Sequence, residues 1–254
     1  MEKNEYYKMY DFENDYWWYR GLHELVLHHV KKFKESKSGS NEQLKIFDAG
    51  CGTGRMMELL APYGIVEGGD YSDDAVKLCK ERGLENAVSC DLNTWSPASN
   101  EYDIIISNDV VCTSGVDDDM KVMKTFFDAL KPGGIVILNH PAFMALRRRH
   151  DIAVFGKRRY RKYKSIKDMK QLGFKTLRAS YRLPWLFFFI LLQKNLVERF
   201  QKSAAVSDLN KLPGFLNSFI LFMNRIENKL ISWGIPMVVG SSLFLVCEKP
   251  GENA

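Results

Sequence analysis

Residues 44–55, reading L-K-I-F-D-A-G-C-G-T-G-R, constrain this 254-residue chain more than any other stretch. Leu44, Ile46 and Phe47 form an apolar run that ends at Asp48. Three glycines follow at alternate positions, Gly50, Gly52 and Gly54, before a helix-like run over residues 56–61. A buried strand, a glycine turn and a helix make a nucleotide-binding corner. Glycine lets the backbone turn tightly and approach a ligand with no Cβ in between. The G-x-G-x-G spacing departs from the G-x-G-x-x-G of nicotinamide and flavin folds, which argues against those cofactors.

Strand and helix patterns alternate around this corner. Strands are predicted over residues 46–49 and 65–69, the second ending at Asp70, and over the short run 87–90 before Asp91. Ser72 suits the cap of a helix over 73–82. The continuous apolar run 102–107 reads as a buried parallel strand. A helix over 118–130, a turn at Lys131-Pro132-Gly133-Gly134 and a strand over 135–139 follow. This rhythm predicts an α/β fold, a doubly wound, mostly parallel seven-stranded sheet.

Additions flank that core. Residues 1–41 form an N-terminal aromatic and helical cap. Tyr6, Tyr7, Tyr10, Phe12, Tyr16, Trp17, Trp18 and Tyr19 cluster there, and Leu22, Leu25, Val26, His29 and Phe33 recur at helical spacing. Residues 34–41 read as a polar linker. The core covers 42–182, with a basic lid at 141–164, a helix over 165–172 and a strand over 174–181. A helical insertion covers 183–240, with helices over 184–200 and 215–233. The second carries a stripe of Leu216, Phe219, Ile220, Met223, Ile226 and Leu230. The final strand, over 242–247, and a tail occupy 241–254.

The net charge of +5 is unevenly placed. Residues 147–167 hold ten basic residues and one acid, a formal +9, so the remainder is net −4. The five cysteines are scattered and contain no C-x-x-C pair, so neither a zinc site nor a disulfide framework is expected. A reduced, cytoplasmic location follows, and the first residues lack the apolar run of a signal peptide. The most apolar run, residues 183–192, is half of the roughly 20 residues a spanning helix needs. It suits core, a partner interface or a membrane-surface segment.

The D-A-G-C-G-T-G run, Asp48 to Gly54, resembles the first motif of class I S-adenosylmethionine-dependent methyltransferases. The order Asp48-x-Gly50-x-Gly52, Asp70, Asp91, Asn108-Asp109 and Lys131-Pro132-Gly133-Gly134 is similar to that family's along most of the chain. The resemblance implies a Rossmann-like methyltransferase fold, with S-adenosyl-L-methionine as cofactor and S-adenosyl-L-homocysteine as product. Asp70, about 20 residues beyond Gly50, would take the ribose hydroxyls. Asp91 would take the adenine amino group, with Tyr71 and Leu92 flanking the ring. Asp48 and the turn residues Gly50, Cys51, Gly52 and Gly54 would hold the methionine end, with Asn108 near the sulfonium. Asp15-Tyr16-Trp17-Trp18-Tyr19-Arg20-Gly21 resembles the W-W-[FY]-x-G-R entry segment of bacterial small-molecule methyltransferases, with arginine and glycine exchanged. It implies a cap in which Trp18 covers the cofactor and Arg20 pairs with its carboxylate.

For the acceptor, candidate bases are Asp109 after strand four, His140 after strand five, and His150 with Asp151. Tyr19, Arg159 and Tyr160 are the candidate acceptor contacts. Cys112-Thr113 stands where relatives often carry Glu-His, which argues against metal-assisted O-methylation, and no metal is expected. The basic stretch suits a solvated face, a lid for a phosphate or carboxylate, or nucleic acid. Ser107-Asn108-Asp109-Val110 is not the N/D-P-P-Y/F element of base methyltransferases, which weighs against nucleic acid. The aromatic run 185–189 reads as a buried helix, a dimer face, a greasy acceptor pocket or a peripheral membrane contact. The expectation is methyl transfer to O or N of a small molecule, amphipathic with an acidic group, such as a sugar, lipid-linked intermediate or secondary metabolite. The alternatives are a nucleic-acid or protein methyltransferase using residues 147–167, and a non-catalytic S-adenosylmethionine-binding protein.

Overall fold

The computed structural model describes residues 3–37, 43–197 and 211–251, without the side chains of 149, 150 and 194–197. Helices α1 (Lys3–Phe12) and α2 (Trp17–Ser36) come first. The core runs β1 (Leu44–Ala49), α3 (Arg55–Leu60), β2 (Gly64–Asp70), α4 (Asp73–Glu81), β3 (Ala87–Ser89), β4 (Tyr102–Asn108), α5 (Asp119–Ala129) and β5 (Leu130–Pro141). Then come α6 (Arg149–Ala153), α7 (Lys162–Gln171), β6 (Lys175–Arg182), α8 (Pro184–Val197), α9 (Gly214–Ser232) and β7 (Ser242–Glu248). The seven strands form one sheet in the order β3-β2-β1-β4-β5-β7-β6. Only β7 runs against its neighbours. This is the doubly wound, mostly parallel seven-stranded sheet expected from the sequence.

The apolar runs are continuous because both faces of the sheet are covered. Ile46, Ile104, Ile106, Ile135 and Ile137 face one core with α2 and α3. Phe47, Ile105, Val136 and Leu138 face the other, with Val122, Met123 and Phe126 of α5. Strand order reverses between β1 and β4, where Ile46 pairs with Val66 on one side and Ile104 on the other. The crevice beyond their carboxyl ends is where such sheets place ligands.

Some boundaries moved. Helix α2 runs on to Ser36, taking up the start of the expected linker, whose residues 38–41 lie outside the described ones. The expected Lys131–Gly134 turn is instead absorbed into β5, with Gly133 at φ +74° and a register shift against β4 between Tyr102 and Ile104. Ser72 does cap α4, its hydroxyl accepting from the Ala75 N–H at 3.4 Å. The expected end of the helix over 184–200 falls outside the described residues.

Helix α9 forms where predicted but leaves half of its apolar stripe, Phe219, Met223 and Ile226, exposed. Its inner face carries Asn224, Glu227 and Asn228. Asn228 Nδ2 donates to the Gly21 carbonyl at 2.7 Å, and Glu227 Oε1 accepts from the Leu183 N–H at 2.8 Å. Asn217 accepts from the Trp17 N–H at 2.9 Å and donates to the Asp15 carbonyl at 2.8 Å. The asparagines fasten the insertion to the start of α2, and Glu227 ties α9 to the residue before α8.

Arg182 ends β6 fully buried. Its Nη1 donates to Asn139 Oδ1 at 3.2 Å, and Glu227 and Asp109 supply the compensating charge. Removing the partner of a buried charge is strongly destabilising. Urea unfolding of Glu227→Ala is therefore expected to show a loss of about 3 kcal/mol. Glu24→Ala, at the exposed Arg225 pair, should lose under about 1 kcal/mol. Equal losses would refute a charge role for Glu227.

Candidate functional site

A cavity of about 900 Å³ opens at the carboxyl ends of the central strands. The glycine turn forms part of its wall. Gly50, Gly52 and Gly54 all have positive φ, at +81°, +56° and +86°. A Cβ on Gly50 would fall 2.1 Å from Val110 Cγ2, and one on Gly52 would fall 2.5 Å from Met9 Cε. Positive φ and these close neighbours make both positions suited to glycine. Gly54 does not line the cavity; it starts α3 and packs against Leu84 and Cys79. Cys51 does line it.

The carboxylates around the turn have different surroundings. Asp70 is buried and accepts from the Gly52 N–H at 2.9 Å, the Ser72 N–H at 3.0 Å and the Tyr6 hydroxyl at 3.1 Å. It is thereby fixed at the end of β2. Asp48 is buried at the end of β1, and its Oδ2 has no hydrogen-bond partner. Burial, then the charges of Asp70 and Glu13, push its carboxyl up to about 7. Asp91 lines the cavity, but its Oδ1 already accepts from the Asn93 N–H at 2.9 Å and Asn93 Nδ2 at 2.8 Å. Leu92 and Tyr71 also line it, Leu92 buried and Tyr71 exposed. Asn108 lines it from the end of β4, with its Oδ1 buried and unpartnered.

The cap contributes one helical face. Trp18, Tyr19, Leu22 and His23 line the cavity from α2. Arg20 does not, because residues 18, 19, 22 and 23 share a face that leaves 20 and 24 outside it. Glu24 instead pairs with Arg225. Tyr19 is held neutral by burial and by the nearby acids Glu13, Glu5 and Asp109. Burial likewise lowers His23 to about 3. Helix α1 closes the cofactor end through Tyr6 and Met9. Glu13 follows it, accepting from Thr53 Oγ1 at 2.6 Å and pairing with Arg82.

The acceptor-side residues divide sharply. Asp109 lines the cavity from a left-handed backbone, φ +58°, and accepts from Asn139 Nδ2 at 2.7 Å. Burial pushes it up to about 7, against the lowering effect of Asn139, Arg182 and Arg159. Asp151 and Arg159 also line the cavity, locked together: Nε to Oδ1 at 2.8 Å and Nη2 to Oδ2 at 2.9 Å. Arg159 Nη1 further donates to the Ala142 carbonyl at 2.8 Å. His140 does not reach the cavity. It is buried, stacked on Tyr160 with centroids 4.5 Å apart, and lowered to about 4 by burial. Tyr160 is likewise outside the lining, donating to Asp119 Oδ2 at 2.8 Å. His150 lies in α6, and its side chain is outside the described residues.

The basic segment is partly internal. Arg158 donates to the carbonyls of Thr113, Val116 and Asp117 at 3.3, 2.9 and 2.5 Å. It knits the lid to the loop after β4, while Arg147, Lys157, Arg161 and Lys167 stay exposed. Among the described residues no group of three or more His, Cys, Asp or Glu could hold a metal ion.

The molecule is a Rossmann-like sheet with a cavity at its switch point. The family described as "Methyltransferase domain" matches residues 47–138, just over a third of the chain. Trans-aconitate 2-methyltransferase of Variovorax paradoxus (strain S110) is 32% identical over 104 residues, 39% of this chain and 39% of that protein. Trans-aconitate 2-methyltransferase of Mycobacterium tuberculosis (strain ATCC 25177 / H37Ra) is 29% identical over 140 residues, 50% and 52% of the two chains. The chain thus spans about half or less of the length of these relatives. A solved SAM dependent methyltransferase from Archaeoglobus fulgidus superposes with a TM-score of 0.56 at 16% identity, covering 89% of this chain and 94% of that one, and so shares its fold.

The raised Asp48 carboxyl has a consequence for stability. Its folded value, about 7, lies above its ordinary 3.8, so between those values the folded state holds more protons than the unfolded state. The stability contributed by Asp48 is therefore full below its ordinary value of 3.8 and is lost progressively as pH rises to about 7. Asp48→Asn is expected to raise the melting temperature at pH 8 relative to the parent, and much less at pH 5. An equal change at both pH values would show that Asp48 is not the titrating group.

Proposed function

We propose that this protein is an S-adenosyl-L-methionine-dependent methyltransferase acting on O or N of a small molecule. The observation that carries the reading is Asp48 Oδ2, buried without a partner beside a cradle that only glycine fits. An ammonium group supplies the missing donor and the missing positive charge. Asp70 remains able to accept from vicinal hydroxyls, and Asn108 presents an open acceptor at the end of β4. The matched methyltransferase domain covers the turn's flanking strand, Asp70, Asp91 and Asn108.

When bound, S-adenosyl-L-methionine supplies an electrophilic methyl on a sulfonium, with S-adenosyl-L-homocysteine as product. Tyr6, Met9, Trp18 and Tyr19 enclose that end and exclude water. Glu13, Asp48, Asp70, Asp91 and Asp109 make it acidic, which favours a positively charged donor over a neutral product. Asp109 faces the same cavity and is poised to take a proton from an acceptor hydroxyl or amine near neutral pH. Asn139, held by Arg182, orients it. Transfer then needs position rather than covalent participation.

The acceptor half combines Val154, Phe155, Phe189 and Ile190 with Arg148. That lining suits an amphipathic molecule with an acidic group, and the relatives named for trans-aconitate are in keeping with an acidic acceptor. A labelled-methyl assay in cell extract should place label in the small-molecule fraction. Label confined to precipitated RNA or protein would contradict the acceptor class.

Two substitutions separate binding from transfer. Asp70→Ala should weaken S-adenosyl-L-homocysteine binding by more than about tenfold, or about 1.4 kcal/mol, by calorimetry. Asp109→Asn should leave that binding intact but lower kcat by about a hundredfold or more. In the parent, kcat should rise with pH through about 7, as the Asp109 carboxyl loses its proton. A flat profile would remove Asp109 as the base.

A further inference from the structure

We infer that the outer face of α8 and α9 docks on an anionic lipid surface. A helix on the surface of a water-soluble domain ordinarily buries its apolar stripe and exposes its polar one. Helix α9 buries Leu221 and Ile231 but otherwise departs from this. Phe215, Phe219, Phe222, Met223 and Ile226 fall on one face, and all are exposed, Phe215 to 80% and Phe222 to 58%. Asn224, Glu227 and Asn228 are buried on the other. Helix α8 adds Phe188 at 62% and Leu192 at 60% exposure. Both helices pack on Trp17: Trp185 and Leu186 of α8 share a cluster around it with Ile220 and Leu221 of α9. Exposed apolar area of this extent marks an interaction surface.

Charge selects the occupant. Across 183–197 and 211–235 the single acid is Glu227, which is buried. The basic segment adjoins α8: Phe143 meets Phe187 edge-on at 5.4 Å, and the turn Met144–Leu146 leads directly into exposed Arg147. Lys157 is exposed in the same segment, with Ile152 and Phe155. A second copy would bring a like cation-flanked face against this one. An anionic headgroup layer provides the counter-charge, and its acyl boundary takes the phenylalanines. Among the described residues no helix is long and apolar enough to cross a membrane, so this contact lies in the interface plane. Phe155 and Phe189 line the cavity while also being exposed, so docking brings the cavity mouth to the headgroups.

The full chain should co-sediment with vesicles of phosphatidylglycerol and phosphatidylcholine in equal parts. Binding to phosphatidylcholine alone should be weaker by about tenfold or more, and high salt should erase the difference. Phe219→Asp with Phe222→Asp should reduce binding by at least about tenfold. Phe188→Ser with Leu192→Ser, on the other helix, should reduce it too, and either pair suffices if the other fails to fold. The assay needs no methyl transfer, so its failure leaves the transferase reading standing. Absence of sedimentation with either vesicle, or binding that survives both pairs, overturns the inference. So does a dimer that both pairs dissociate, with no vesicle binding, which assigns the face to copy-to-copy contact.

Discussion

A carboxylate buried without a partner costs free energy that the rest of the fold must offset, and Asp48 is such a group. The surrounding structure holds it at the end of β1, between two parallel strands, against a turn whose glycines leave no side chain to shield it. The nearest charges, on Asp70 and Glu13, are also negative. A site optimised for stability alone would place an apolar residue or a donor there. Keeping an unsatisfied acid at the strand-order reversal makes sense for a site built to receive a cation with hydrogens to donate.

The elements around Asp48 are arranged to keep that site closed and in register. Asp70 ties the glycine turn to the start of α4 through two backbone N–H groups and reaches α1 through Tyr6. Glu13 joins α1 to the core through Thr53 and Arg82. On the other side, Arg182, Asn139 and Asp109 form a hydrogen-bonded line from β6 across β5 to the end of β4. The insertion matters to this line because Glu227 of α9 balances the buried charge of Arg182. The far end of the chain thus supports the group nearest the acceptor.

The cofactor half was largely legible in the sequence because it depends on local signals. A strand, alternate glycines and acids after successive strands are all read from spacing, and Asp48, Asp70, Asp91 and Asn108 meet around one cavity. The departures come from tertiary geometry that spacing does not carry. Arg20 fails by one step of helical phase. His140 fails by one step of strand alternation, since Asn139 faces Asp109 while His140 stacks on Tyr160. Arg159 reads as an acceptor contact until Asp151 folds back to bind it on both oxygens. Helix α9 reads correctly as a helix, but its asparagines turn inward to bonds with Gly21, Asp15 and Trp17 that only the folded chain supplies. Glu13 and Arg182 carry no sequence signal; Tyr6 was visible only as one member of an aromatic cluster.

The most direct test is a crystal structure with S-adenosyl-L-homocysteine bound. The account predicts its amino group on Asp48, its ribose hydroxyls on Asp70 and its sulfur facing Asn108 and Asp109. The remaining volume should be bounded by Arg148, Phe155 and Phe189. A ligand lying elsewhere, or in the cavity with its amino group away from Asp48, would contradict the account.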